Sequence, residues 1–253
     1  MRFLSWLRAI PHRRYLAGLG VVFAIWFVAL GIAPHERNTW YMENSVAVVF
    51  IIAIVAFHKK LLLSRVSYTL IFLFSCAHEL GAHYTYARVP YDAWIHSLTG
   101  LSVDHLLGWQ RNNFDRVIHF LYGLLLAYPI REIFLRVARV RGFWGYFLPL
   151  DLTMSSSMLY ELLEWGAAAA FGNGASDYLG TQGDVWDAHK DMALASLGAL
   201  IALTFTAWIN WRWQRDFAHE WNESLRLAGS KPLGEDEAAR MLSGKKAQPP
   251  GKV

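Results

Sequence analysis

Gly180-Thr-Gln-Gly-Asp-Val-Trp-Asp-Ala-His-Lys-Asp-Met192 runs directly into an apolar block from Ala193 to Trp208. It carries three carboxylates, Asp184, Asp187 and Asp191. If residues 184–191 begin a helix, steps of three and four residues set all three acids on one face. That face enters the membrane, where an unpaired carboxylate is costly. The remaining sequence can be searched for whatever meets them.

The chain has 253 residues, 55% of them hydrophobic, with a mean hydropathy of +0.23. The apolar residues come in blocks of about 20, the length a helix needs to cross a bilayer. The expected fold is all-α, a polytopic transmembrane helical bundle of about six spans. The spans are 15–33, 42–57, 67–86, 114–135, 143–171 and 187–209, with Pro129 marking a kink or an end of the fourth. Residues 1–215 make the transmembrane domain. Residues 216–253 make a polar cytoplasmic tail, helical in part and then disordered. The net charge of +4 sits mainly in short loops between apolar blocks, a topology pattern that argues against nucleic-acid binding. The single cysteine, Cys76, excludes an intramolecular disulfide.

The first block follows Arg2, Arg8, Arg13 and Arg14 and is longer than a usual signal-peptide core. Pro34, after Gly31-Ile32-Ala33, disfavours cleavage, so the block reads as a retained signal anchor. With the N-terminus inside, Lys59, Lys60, Arg65, Arg131, Arg136, Arg139, Arg141, Arg212 and Arg215 also fall inside. Only Arg37, Arg88, Arg111, Arg116 and Lys190 fall outside. Both termini are therefore expected in the cytoplasm. The longest outer segment, 87–113, carries Trp94, Ile95, Leu98, Leu101, Leu106, Leu107 and Trp109, the pattern of a helix lying on the outer surface.

This topology makes polar residues from four spans converge. His78, Glu79 and His83 lie in the outer half of the third span, and Asp115 and His119 open the fourth. Glu161 and Glu164 come late in the fifth, and Asp187 and Asp191 open the sixth. Spacings of three and four let each pair share a face, except His78 and His83. Five residues apart, those two diverge by roughly 140° and do not both point inward. Carboxylates and imidazoles on facing helices are how di-metal bundles hold their ions, although the paired Glu-x-x-His motif is absent here. The candidate metal ligands are His78, His83, Asp115, His119, Glu161, Glu164, Asp187 and Asp191. The candidate catalytic residues are Asp184, Glu161 and His119. The donor set suits a divalent cation such as Zn, Mn, Fe or Mg.

Two other readings stand beside this one. Arg111, Arg116 and Lys190 lie at the same level and can pair with the acids as an ion-free polar network, or the polar residues are scattered and unrelated. His96, His105 and His189 read as ordinary interface residues, and Asp184 can cap the last span. Ser155-Ser156-Ser157 can line a cavity or let helices pack closely, and no Gly-x-Ser-x-Gly elbow accompanies it. Asp151 lies deeper and can begin a proton path.

Four motifs together resemble the YjdF family of bacterial inner-membrane proteins over nearly all of residues 10–215. They are His78-Glu-Leu-Gly-Ala-His-Tyr-Thr-Tyr86 with Val89-Pro90, Asn113-Phe-Asp-Arg-Val-Ile-His-Phe120, Tyr160-Glu-Leu-Leu-Glu-Trp165, and Gly180-Thr-Gln-Gly-Asp-Val-Trp-Asp187 with Asp191-Met192. The resemblance implies a multi-pass inner-membrane protein and brings no activity with it. A fainter one is to VanZ-type membrane proteins, linked to glycopeptide-antibiotic tolerance. It rests on Asp115-Arg-Val-Ile-His-Phe120 with Tyr122, an acid late in the next span and an acid opening the last. Four residues after Asp187, where VanZ proteins usually place Asn, this chain has Asp191.

Two functions follow as expectations. One is metal-dependent hydrolysis of a lipid or lipid-linked envelope substrate. The other is non-enzymatic binding of an ion or solute, as in a transporter or envelope sensor. The mostly apolar inner halves of the spans favour a site over a passage. Membrane lipids are the expected partners.

Overall fold

The computed structural model describes residues 10–171, 182–226 and 241–243. Gly180 and Thr181 of the opening stretch lie outside them, as do residues 1–9 and most of the tail. Among the described residues the regular structure is entirely helical. In chain order the helices are α1 (His12–Gly31), α2 (Arg37–Phe57), α3 (Arg65–His83), α4 (Tyr91–Thr99), α5 (Val103–Leu107), α6 (Phe114–Val137), α7 (Trp144–Phe171), α8 (Asp187–Trp213) and α9 (Phe217–Ser224).

The apolar blocks become helices because a long apolar segment satisfies its backbone polar groups without water only by coiling on itself. Four of them, α1, α2, α6 and α8, are long and apolar enough to cross a membrane. The third and fifth blocks also form long helices, but His78, Glu79 and His83 in α3 and Asp151, Ser155–Ser157, Glu161 and Glu164 in α7 lower their hydropathy. Helix α6 continues eight residues beyond Pro129 to Val137, so the proline does not end it.

The centre of the bundle is the α6–α8 pair, the most extensive packing in the molecule. Small residues allow it. A Cβ on Gly123 would lie 1.9 Å from the Ala195 carbonyl oxygen, and one on Gly198 would lie 2.2 Å from that of Phe120. Ala127, Ala195 and Ala199 are completely buried beside them. The backbones therefore touch, the usual way helices associate where no hydrophobic drive separates them from lipid. Helices α3 and α7 pack on α6, α7 also packs on α8, and α1 and α2 pack on α3.

Glu132 of α6 ties that helix to the start of α3. Its carboxylate accepts from the Ser64 N–H at 2.9 Å and from the Ser67 hydroxyl at 2.6 Å, while Arg136 pairs with it at 2.9 Å. At the same end, Phe217 and Trp221 of α9 pack on Tyr146 of α7, and the Phe143 N–H donates to the Ser224 hydroxyl at 2.9 Å. At the opposite end, segment 87–113 forms two short helices ended by the left-handed glycines Gly100 and Gly108. Tyr91 donates to Asp104 at 2.6 Å and Ser102 to Asp92 at 2.9 Å, locking α4 to α5. Leu98, Leu101, Leu106 and Leu107 stay exposed, as a surface helix requires.

Candidate functional site

The starts of α6 and α8 lie side by side, and their polar residues form two tiers. The outer tier neutralises itself. Asp187 at the α8 N-terminus is 3% exposed, and its Oδ1 accepts from Arg111 and, at 3.1 Å, from Arg116. The same Arg116 reaches Asp184 Oδ2 at 2.5 Å and Asn113 Oδ1 at 2.9 Å, and Lys190 reaches Asp184 Oδ2 at 2.5 Å. Asp184 Oδ1 accepts from the Trp186 N–H at 3.0 Å, so this residue also shapes the turn into α8. The Lys190 ammonium, with the Trp186 N–H and Arg116, holds the Asp184 carboxyl well below the usual carboxylate range.

One turn further into the bundle the cations stop. Asp115 and His119 of α6 meet Asp191 of α8, with one ligating atom of each lying within 4.8 Å of the others. Glu161 of α7 joins them, its Oε1 standing 3.4 Å from His119 Nε2, which is 3.7 Å from Asp115 Oδ1. All four are buried or half-buried. Among the described residues, Asp191 Oδ1, Glu161 Oε1 and Asp187 Oδ2 are buried without a hydrogen-bond partner. Such oxygens carry a desolvation cost that a proton or a cation removes. Three ligand atoms around 2.0–2.2 Å from a small divalent cation lie at most about 3.5–3.8 Å from one another, so closing the set on an ion takes a contraction of up to about 1 Å in those separations.

The inner group continues into a cavity of about 440 Å³ between α2, α3, α6 and α7, lined at one end by Asp115, His119, Glu43, His78, Glu79 and Glu164. Tyr160 donates to Glu43 Oε2 at 2.8 Å, and the Tyr86 hydroxyl lies 2.6 Å from His78 Nδ1. Tyr86 reaches His78 by an unusual backbone path. Thr85 and Tyr86 both take left-handed conformations, with φ of +56° and +50°. These fold the Tyr86 ring onto Gly81, where a Cβ would lie 2.4 Å from it. Non-glycine residues in that region cost about 1–3 kcal/mol each, and such strain concentrates at functional sites.

The structure thus brings together Asp115, His119, Glu161 and Asp191, with His78 and Glu164 along the adjoining cavity. Asp187 and Asp184 stand one tier out, held by arginine and lysine. His83 points elsewhere: its Nδ1 lies 2.7 Å from the Leu30 carbonyl oxygen of α1, as its spacing from His78 implied. His96, His105 and His189 are exposed. Asp151 is exposed too, and it does not line the cavity. Glu43 is absent from the sequence reading altogether, although it is an acid inside an apolar block and 4% exposed.

The family described as "Predicted membrane protein (DUF2238)" matches residues 15–212 of this chain. The chain is also similar to the inner membrane protein YjdF of Escherichia coli (strain K12), 40% identical over 188 residues, which cover 74% of this chain and 86% of that protein. No solved structure matches it.

Proposed function

As the chain belongs to the DUF2238 family of membrane proteins, we propose that it resides in the inner membrane as a six-span bundle and binds one divalent cation in the outer half of that bundle. There it hydrolyses a lipid or lipid-linked substrate. The observation that carries this reading is the Asp115–His119–Asp191 set, with ligating atoms within 4.8 Å and beside it buried Asp191 and Glu161 oxygens that accept no hydrogen bond from the described residues. Support for the placement comes from the similarity to the E. coli inner membrane protein and from the basic residues clustered in the loops that would face the cytoplasm. Both termini then lie inside.

The cation is Zn, Mn, Fe or Mg, in keeping with mostly oxygen donors and one imidazole. Asp115, His119 and Asp191 would hold the ion, which when bound would provide a Lewis acid for the scissile carbonyl or phosphoryl group and activate water. Glu161 receives the proton as the water oxygen bonds to the substrate, and returns it to the alkoxide released when the ester bond breaks. Asp184 and Asp187, bound by Arg111, Arg116 and Lys190, position the start of α8 and hence Asp191.

Lipid profiling tests the reading. Cells lacking the protein should accumulate one lipid class, which the wild-type protein removes and Glu161→Gln does not. A pool unchanged across all three strains would reject hydrolysis and leave an ion- or solute-binding membrane protein without chemistry.

A further inference from the structure

The cavity beneath the acidic cluster is long and two-ended. On α2 its lining runs from Glu43 to Phe57, a rise of about 20 Å at 1.5 Å per residue. One leaflet of hydrocarbon is about 15 Å deep. The volume of about 440 Å³ falls among ligand pockets, which run to roughly 300–1,000 Å³. Away from the cluster the walls are apolar, among them Phe50, Ile54, Phe57, Leu126, Ile130 and Ile133. Such walls offer water no partners, and they match a hydrocarbon chain.

The other end is short of hydrogen bonds. His78 is 9% exposed and Glu79 fully buried, and among the described residues neither His78 Nε2 nor either Glu79 oxygen makes a well-formed hydrogen bond, although Asn44 lies near the Glu79 carboxylate and the Glu43 backbone near His78. Both residues line the cavity, as does Ser157, whose buried hydroxyl has no hydrogen-bond partner among the described residues. Buried groups left in this state cost free energy that an incoming polar group recovers. Charge limits what that group is. Glu43, Glu79, Asp115 and Glu164 line this end, and among the described residues no Lys or Arg does. A phosphate would meet carboxylates there, whereas a hydroxyl donates to a carboxylate and accepts from an imidazole or phenol.

We propose that this cavity holds a single hydrocarbon chain of a membrane lipid, its tail along α2 and an uncharged, hydroxyl-bearing ester end against His78, Glu79 and Tyr86. The chain enters sideways from the bilayer, between α2 and α7, which Tyr160 and Glu43 join at the polar end. The inference rests on the hydrolytic reading only for which bond is cut, because the ester end then stands beside Asp115 and His119. It names the substrate as a lipid recognised by one tail and not by an anionic head.

The test is photocrosslinking of purified full-length protein with hexadecanol carrying a mid-chain diazirine, followed by peptide mapping. Label should concentrate on cavity residues such as Ile54, Ile71 and Leu126. The Ile54→Trp/Leu126→Trp double variant, which fills the tail region with apolar volume, should lose about tenfold or more of it while remaining monodisperse and keeping its metal content. Single substitutions Ile54→Phe and Leu126→Phe, gentler on the fold, should give intermediate losses. Hexadecyl phosphate with the same diazirine should label weakly. Label spread over outward-facing residues such as Val49 and Ile52, insensitivity to the tryptophans, or equal labelling by the phosphate would each overturn the proposal. Cavity-confined label in a protein that binds no cation would reject the hydrolytic reading and keep this one. Scattered label in a protein that does bind a cation would do the reverse.

Discussion

Gly123→Leu is expected to leave almost no correctly assembled protein. Position 123 has no room even for a Cβ, which would sit 1.9 Å from the Ala195 oxygen and 2.7 Å from the Ala199 nitrogen. Those are backbone atoms, so relief requires moving a whole helix. Overpacking a tight core typically costs about 1–3 kcal/mol, and a leucine at a backbone contact belongs above that range. The consequence reaches the site, because α6 carries Asp115 and His119 while α8 carries Asp187 and Asp191. Size-exclusion chromatography of detergent extracts should show loss of the monodisperse peak for Gly123→Leu and a weakened one for Gly123→Ala. Gly166→Ala, where nothing lies within 4 Å of the added carbon, should behave as wild type. A well-folded Gly123→Leu protein would show that α6 and α8 do not cross as described.

Removing both arginines of the outer tier has the second large effect. In the Arg111→Ala/Arg116→Ala variant, Asp187, which is 3% exposed in the wild type, loses both of those cations. Leaving one member of a buried pair uncompensated costs about 3–5 kcal/mol. Adding Asp187→Asn removes the stranded charge and should recover most of the loss. Thermal unfolding in detergent should therefore rank the proteins wild type, triple variant, double variant. If Asp187→Asn gave no recovery, the arginines would be stabilising through contacts other than this carboxylate.

How legible all this was depended on what kind of physics placed each part. The predicted spans 15–33 and 114–135 fall on His12–Gly31 and Phe114–Val137, because an apolar run of bilayer length has one way to satisfy its backbone. The meeting of Asp115 and His119 with Asp191 and Glu161 was readable from topology, since alternating helix directions bring those positions to one depth. The outward turn of His83 was readable from angle alone, five residues from His78. Other features needed the tertiary structure. Glu43 meets Tyr160 across 117 positions of sequence, and no local pattern links them. Tyr86 reaches His78 only because Thr85 and Tyr86 adopt left-handed backbone, a choice that residue type disfavours. The sequence offered Arg111, Arg116 and Lys190 as partners for the acids. That they take Asp184 and Asp187 and leave Asp191 beside Asp115 and His119 depends on side-chain reach, which spacing does not encode.

Whether Asp115, His119 and Asp191 form a cation site is decided by metal binding. Full-length protein, purified in detergent without chelator, would be assayed for bound metal and titrated with Mn²⁺ and Zn²⁺ beside His119→Ala and Asp191→Asn. One ion per chain is expected in the wild type, with affinity weakened by about 100-fold or more in each variant, since outer-shell changes alone cost about 10–100-fold. A folded wild-type protein that binds no divalent ion, or variants that bind as tightly as the wild type, would contradict a cation site there.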